Sequence, residues 1–205
     1  MPERSRNPRT QNIIDAASAL FIEHGYQVNM AEIARRAGVA KQTVYTHFGT
    51  KDRLFEAAVV NLIEPLRQLL EVDERGIRES LEAYGRHHLE RWLDERTAGL
   101  SRRLIAEAGR FPQAAHTLYN NSVEAVTVRL AERLGVAAQR GEIVIDDATV
   151  AAELLIGMLF GLDGDRRRMG LPMRNATQRD AWVRHAVDVF LRAHAPAQAK
   201  SANEG

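Results

Sequence analysis

Apolar residues recur along this chain at three- and four-residue intervals almost from end to end, and the strict alternation of a half-buried strand is scarce. The pattern predicts an all-α protein of about nine helices. A first helix carries Ile13, Ala17, Leu20 and Phe21 on one face, with Thr10 placed to cap its start and Gly25 to end it. Asn29, followed three residues on by Glu32, reads as a capping box for a short second helix bearing Ile33, Ala34 and Ala37 and stopped by Gly38. A third helix begins near Lys41, with Val44 and Phe48 four apart, and Gly49 breaks it. Thr50 can cap a fourth, which runs past Leu54, Phe55, Val59 and Leu62 and meets Pro65. There the missing backbone donor predicts a kink or a break.

Further on, Ile77, Leu81, Tyr84, His88 and Trp92 share a stripe, and Leu100, Leu104 and Ala108 mark a shorter helix ended near Gly109. Pro112 suits the start of a helix that continues through Ala115, Leu118, Tyr119, Ser122, Val126 and Leu130. Asp146 and Asp147 precede a strongly apolar helix from about Thr149 to Leu162. Residues 163–176 read as a loop by their Gly, Pro and charge content. Thr177 with Asp180 opens a last helix that turns Trp182, Val183, Ala186, Val189 and Phe190 inward. The tail 196–205 has no pattern and is expected to be disordered.

The 205 residues, 45% of them hydrophobic, suffice for one large domain or a small one joined to a larger. There is no cysteine, which excludes a disulfide scaffold, a thiolate zinc site and a thiol redox sensor. The polar start "MPERSRNPRTQN" has no apolar signal region, and the greasiest stretch, "VAAELLIGMLFGL", is too short for a membrane span and contains Glu153. A soluble cytoplasmic protein without membrane contact is expected. The formal charge of +1 says nothing about partners, but residues 1–51 hold seven basic groups against four acidic, a net +3, leaving −2 for the remainder. A mildly basic head on a neutral body fits nucleic acid at one end, and Arg4, Arg6 and Arg9 read either as an ordinary soluble tail or as an arm into the minor groove.

Two short helices joined by "AGVA" form a helix-turn-helix, in which Gly38 supplies the positive φ of the turn and Val39 plugs the angle. Val44 and Phe48 then fix the third helix from behind, so that Lys41, Gln42, Thr43, Tyr45, Thr46 and His47 face outward. Amide, hydroxyl and ammonium groups on a helix match the donors and acceptors of base edges in a major groove and the phosphates that flank it.

With its surroundings, residues 13–59, this stretch resembles the TetR family of bacterial repressors, most specifically in "LFxxxGY", "IAxxAGV" and "VYTHFGTKDRLF". The piece "RLIAEAGRFPQAAHTLY" is similar to the C-terminal domain of the AcrR/AefR-like branch. The resemblance implies a helix-turn-helix DNA-binding domain over 1–55 and a larger helical ligand-binding and dimerisation domain over 56–195. It implies a nucleoid-associated repressor that binds a palindromic operator as a homodimer and is released by a small apolar or amphipathic effector. Lys41, Gln42 and Thr46 fall on its base-contacting positions, and Thr43, Tyr45, His47 and Lys51 on its phosphate-contacting ones, with Tyr26 a further backbone contact. One departure is Ala40, where the family commonly has Ser or Thr; the absent N-cap costs roughly 1 kcal/mol of helix stability.

For the second half, "AAELLIGMLFGL" is apolar on more than one face, which calls for burial within one subunit or by a partner. With the last helix it would form a four-helix bundle across a two-fold axis, as the resemblance implies, through Leu155, Gly157, Met158, Gly161, Trp182 and Phe190. An effector pocket needs apolar walls and a few polar groups, for which the candidates are His88, Trp92, Phe111, Tyr119, Val123, Met158 and Phe160. The same aromatic stripe also describes an ordinary core, and His88 also reads as a hydrogen-bonded core histidine. His87 and Glu90, three apart, suggest a bundle metal site, but no second Glu-rich helix matches them. With no Gly-rich phosphate loop and no nucleophile elbow, the chain reads as neither an enzyme nor a cofactor protein. A DNA-binding protein without a small-molecule effector remains the alternative.

Overall fold

The structure is a computed structural model; it describes residues 7–71 and 76–196, with the side chains of 95–98, 103, 104 and 168 left undescribed. The expected disorder of 197–205, the arm residues Arg4 and Arg6, and the packing of Leu104 lie outside the described residues. Among the described residues every regular element is helical: α1 (Pro8–His24), α2 (Met30–Arg36), α3 (Lys41–Phe48), α4 (Lys51–Gln68), α5 (Ile77–Leu93), α6 (Glu95–Ala106), α7 (Pro112–Leu118), a π-helical turn (Tyr119–Glu124), α8 (Ala125–Gln139), α9 (Ala148–Phe160), α10 (Asp163–Arg168) and α11 (Ala176–Ala193). They group into two compact units, one of residues 1–64 and 92–124, the other of 65–91 and 125–205.

The first unit is built on α1–α3 and the first part of α4. Ile13, Ala17, Leu20 and Phe21 of α1, Ile33 of α2, Val44 of α3, and Leu54 and Phe55 of α4 are buried together, joined by Leu100 of α6 and Ala114 of α7. At roughly 1.5–3 kcal/mol for each large side chain taken from water, this cluster is the main force holding α3 in place. The caps are local. Asn29 accepts from the Glu32 N–H at 2.9 Å, which is one half of the capping box its spacing predicts. Helix α1 starts two residues before Thr10: Pro8 occupies its first turn and the Asn7 side chain accepts from Arg9 N–H, because Asn-Pro is the stronger start signal. Helix α4 continues through Pro65 to Gln68, and at Pro65 the chain leaves the first unit.

The second unit packs α5, α8, α9 and α11 through Leu81, Tyr84, Leu89, Leu130, Leu134, Leu155, Leu159, Val183, Val187 and Phe190, all buried. Gly85 marks the closest approach. A Cβ there would stand 2.8 Å from Val183 Cγ1 and 2.9 Å from Leu159 Cδ2, so α5 meets α9 and α11 backbone-close. Arg133 is fully buried and donates to Ser80 Oγ at 3.2 Å.

Three expectations are corrected here. Residues 163–168 are a helix rather than loop, because the buried carboxylate of Asp163 pairs with Arg166 at 2.9 Å and Arg174 at 2.6 Å; Arg174 also lies 4.1 Å over the Trp182 ring. Helix α11 opens on Asn175 with Gln178 in a reciprocal capping box, not on Thr177 with Asp180. The continuous helix expected after Pro112 is interrupted by the π-helical turn, where the Asn121 and Ser122 side chains donate back to the carbonyls of Thr117 and Leu118.

Gly85→Ala is expected to lower the stability of the second unit by about 1–3 kcal/mol, read as a shift of the denaturant midpoint. An unchanged midpoint would mean that α5 moves away at no cost.

Candidate nucleic-acid interface

The turn between α2 and α3 is a helix C-cap of defined geometry. Gly38 has φ +66°, Val39 N–H donates to Ala34 O at 3.0 Å, and Gly38 N–H donates to Arg35 O at 3.2 Å. These are the two bonds of a Schellman motif, which needs a left-handed residue at Gly38. Sequence spacing misses one brace: Asn12 of α1 donates from Nδ2 to Ala37 O at 2.8 Å and ties the turn to α1. The wide separation along the chain hides it.

On α3, Val44 has no exposed surface and Phe48 is half-buried against the core, while Lys41, Gln42, Tyr45, Thr46 and His47 are exposed and Thr43 is half-buried. The polar residues therefore share the free side of a helix anchored by the opposite one. Ala40 is the N-cap and offers no side-chain bond, as its methyl group dictates. The Thr46 hydroxyl donates to Gln42 O at 2.9 Å, which leaves its oxygen as an acceptor and its methyl group for outside contact. His47 Nδ1 is 3.3 Å from Thr10 Oγ1, so one edge of the ring is tethered to α1.

Lys51 opens α4 beneath Thr50, whose hydroxyl oxygen accepts from Arg53 N–H at 3.2 Å. Its ammonium sits 4.2 Å over the Tyr26 ring, and burial lowers the Lys51 pKa against the opposing pull of Asp52. The Tyr26 hydroxyl donates to Asp52, and burial followed by that carboxylate raises its pKa. Tyr26 is thus engaged within the protein rather than free to donate to a phosphate.

The effector candidates are divided between the two units, Trp92, Phe111, Tyr119 and Val123 in the first and His88, Met158 and Phe160 in the second. His88 stacks beside Tyr84 with ring centroids 5.1 Å apart and meets Phe160 edge-on at 4.8 Å; Met158 and Trp92 are half-buried. Phe111 is instead packed against Tyr26 at 5.3 Å. Tyr119 and Val123, on the π-helical turn, are 57% and 51% exposed. The Tyr84 hydroxyl and His88 Nε2 are buried and have no hydrogen-bond partner among the described residues. Burial holds Tyr84 protonated with a raised pKa, and burial, then His87 and Arg91, push His88 down to about 4. Both are neutral near pH 7.

Of the interface candidates, Leu155 and Phe190 lie inside the chain's own core, where a partner has no surface left to cover. Gly157 and Gly161 are exposed, and Trp182 is half-buried, donating from Nε1 to Leu159 O at 2.9 Å and closing on Gly161. Val189, expected inward, is exposed. Among the described residues no three His, Cys, Asp or Glu side chains converge as a metal site, and no helix is long and apolar enough to cross a membrane.

Comparison with known proteins agrees with this geometry. The model of "bacterial regulatory proteins, tetR family" matches residues 13–58, and that of the "AefR-like transcriptional repressor, C-terminal domain" matches residues 79–196. The regulator UidR of Escherichia coli is 28% identical over 171 residues, 77% of this chain and 81% of that protein. A solved chain from Mesorhizobium loti, described as a TetR-family transcriptional regulator, superposes with a TM-score of 0.75 at 28% identity over 96% of this chain and all of its own. The flavonoid-responsive regulator FrrA does so with 0.73 at 29% identity, over 92% and 98%.

Ala40→Ser supplies the absent cap and is expected to raise stability by about 0.5–1 kcal/mol in chemical denaturation. For His88, the folded state binds its proton only near pH 4 whereas the unfolded chain binds it near 6.5. Stability present above pH 6.5 is therefore lost as pH falls toward 4, by up to about 3 kcal/mol. His88→Phe is expected to flatten that loss in denaturation curves taken across the window; parallel curves would refute the assignment.

Proposed function

The chain belongs to the tetR family of bacterial regulatory proteins, and from that premise we propose that it is a repressor binding a palindromic operator as a homodimer and released by a small apolar or amphipathic effector. That it is a DNA-binding transcriptional regulator follows from the family; the proposal concerns how it acts. The observation that carries it is the one-sided anchoring of α3, with Val44 wholly buried and the polar residues opposite it free.

In this reading residues 1–55 are the reading head and 56–195 the sensing and pairing part. Lys41, Gln42 and Thr46 approach bases, Thr46 as an acceptor, and Thr43, Tyr45, His47 and Lys51 approach phosphates. Two copies are required because half-sites on successive grooves lie about 34–36 Å apart. A surface suited to pairing exists on α9. Val150 and Leu154 are 52% and 56% exposed, and Gly157 continues the same line with open space where a Cβ would stand, so a second apolar helix could approach closely.

The effector is expected to place a hydrogen-bonding group at the neutral pair Tyr84 and His88 and an aromatic or aliphatic body beside Phe160. FrrA, which is described as flavonoid-responsive, makes a polyphenol-like molecule a reasonable first probe. The effector acts only if it binds the two head spacings with different affinity.

Selection of bound duplexes from a random pool at fixed salt is expected to return a palindrome. Gln42→Ala should then relax preference at one base-pair position, at a cost of about 1–3 kcal/mol for the preferred base. Recovery of no sequence, or of an asymmetric one, would defeat the paired-head reading.

A further inference from the structure

We infer that Phe111, which lies far outside the helix-turn-helix, is a positioning residue for DNA binding: its ring holds Tyr26 in place, and Tyr26 in turn holds the Lys51 ammonium where it meets phosphate. The inference rests on the assignment of Lys51 as a phosphate contact.

The chain of contacts is continuous. Phe111 follows a tight turn in which Arg110 and Phe111 N–H both donate to Glu107 O, at 2.8 and 2.9 Å. Pro112 then begins α7, so the backbone leaves little freedom in where the ring points. The Arg110 guanidinium covers one side of that ring at 5.1 Å. The Phe111 ring meets Tyr26 at 5.3 Å, tilted by 59°. Tyr26 is walled on its other sides by Phe55, edge-on at 5.1 Å, and by Phe21, stacked at 6.2 Å. Phe21 and Phe55 belong to the buried core of the head, whereas Phe111 is only partly buried against it. Of the three walls, Phe111 is the one supplied by a segment remote from the head in sequence.

Tyr26 acts on its neighbours in two ways. Its ring face attracts the Lys51 ammonium, and its hydroxyl fixes Asp52, whose carboxylate would otherwise be free to pair with Lys51 or to repel a phosphate. With the Tyr26 ring tilted away, Lys51 loses its platform and Asp52 loses its donor. The cation then disperses over many rotamers, and the charge-assisted bond to a phosphate oxygen must offset the entropy of ordering it again. The same geometry makes the turn 107–112 a point at which a displacement would weaken the DNA grip without touching α3.

The test is a double-mutant cycle on the palindrome that the wild-type chain selects, with affinity measured across a salt series. Phe111→Leu keeps apolar volume and removes the flat ring. It is expected to weaken binding on the order of tenfold and to lower the slope of log affinity against log salt by about 0.9 for each phosphate that is no longer neutralised. In a Lys51→Met background the same substitution is expected to have no further effect, and Phe111→Tyr should rescue the loss. A direct readout needs no DNA. The chain has three lysines, Lys41, Lys51 and Lys200, so isotope-labelled dimethyl-lysine resonances can be assigned by single substitution. In wild type, burial should hold the Lys51 titration below the ordinary range for lysine, and in Phe111→Leu it should move up toward that range.

An equal loss of affinity in both backgrounds, an unchanged salt slope, or an unmoved Lys51 titration overturns the inference. Should Phe111→Leu fail to fold, Tyr26→Phe, which removes only the hydroxyl, goes through the same cycle with the same deciding outcomes. If wild type selects no duplex at all, the DNA reading fails first; if wild type selects a palindrome and the cycle is additive, only the positioning role fails.

Discussion

Burial of Val44 fixes rotation and depth of α3 at the same time. A helix of eight residues makes too few hydrogen bonds to be stable alone, so α3 exists because its inner side is part of the core formed by Phe21, Ile33, Leu54 and Phe55. Turning it by one residue would bring a polar side chain into that core and carry Val44 out. The cost of burying an unpaired hydroxyl or amide exceeds anything the outer side could recover. The arrangement of outward groups is therefore set from behind, and the bonds of the Gly38 turn and of Asn12 to Ala37 O set where the helix begins.

This explains why the head is legible in the sequence. Its signals are local: the Asn29 cap, the left-handed glycine at 38, the break at Gly49 and the Thr50 cap each act over three or four residues, and each is found where the spacing puts it. Spacing misleads where two local signals compete. Thr10 and Thr177 are adequate caps, but Asn7 before Pro8 and Asn175 with Gln178 are better ones a few residues earlier. The helix at 163–168 is hidden for another reason. Its Gly and charge content reads as loop until Asp163 is seen to be buried between Arg166 and Arg174, a fact about tertiary packing.

The second unit shows the limit of periodicity. A helical repeat says which residues share a face, not which of two apolar faces turns inward. Helix α9 is apolar on more than one face: Leu155 and Leu159 are buried in the chain, while Val150 and Leu154 are not. By pattern alone Leu155 suits either apolar side, yet it is buried in the chain's own core. Nor does a helical repeat say what an aromatic ring will meet. His88 and Phe160 do meet, but Phe111 sits against Tyr26, because a turn and a proline aim its ring there and no helical repeat describes a turn.

The motif that identifies the head ends near residue 58, yet its core does not. Leu100 and Ala114 are buried in the same cluster as Val44 and Phe55, so residues 92–124 contribute to the burial that orients α3. Shared burial is a coupling: any change that withdraws those side chains removes apolar area from the head, and the free energy is felt at α3 whether or not its backbone moves. The π-helical turn is at the end of this segment, immediately before the chain enters the second unit at Ala125. A wider turn carries one residue more than the α-helical register needs, and within it the Asn121 and Ser122 side chains donate to Thr117 O and Leu118 O. In the proposed reading, in which an effector releases the DNA, this irregular register lies beside the segment whose side chains complete the head.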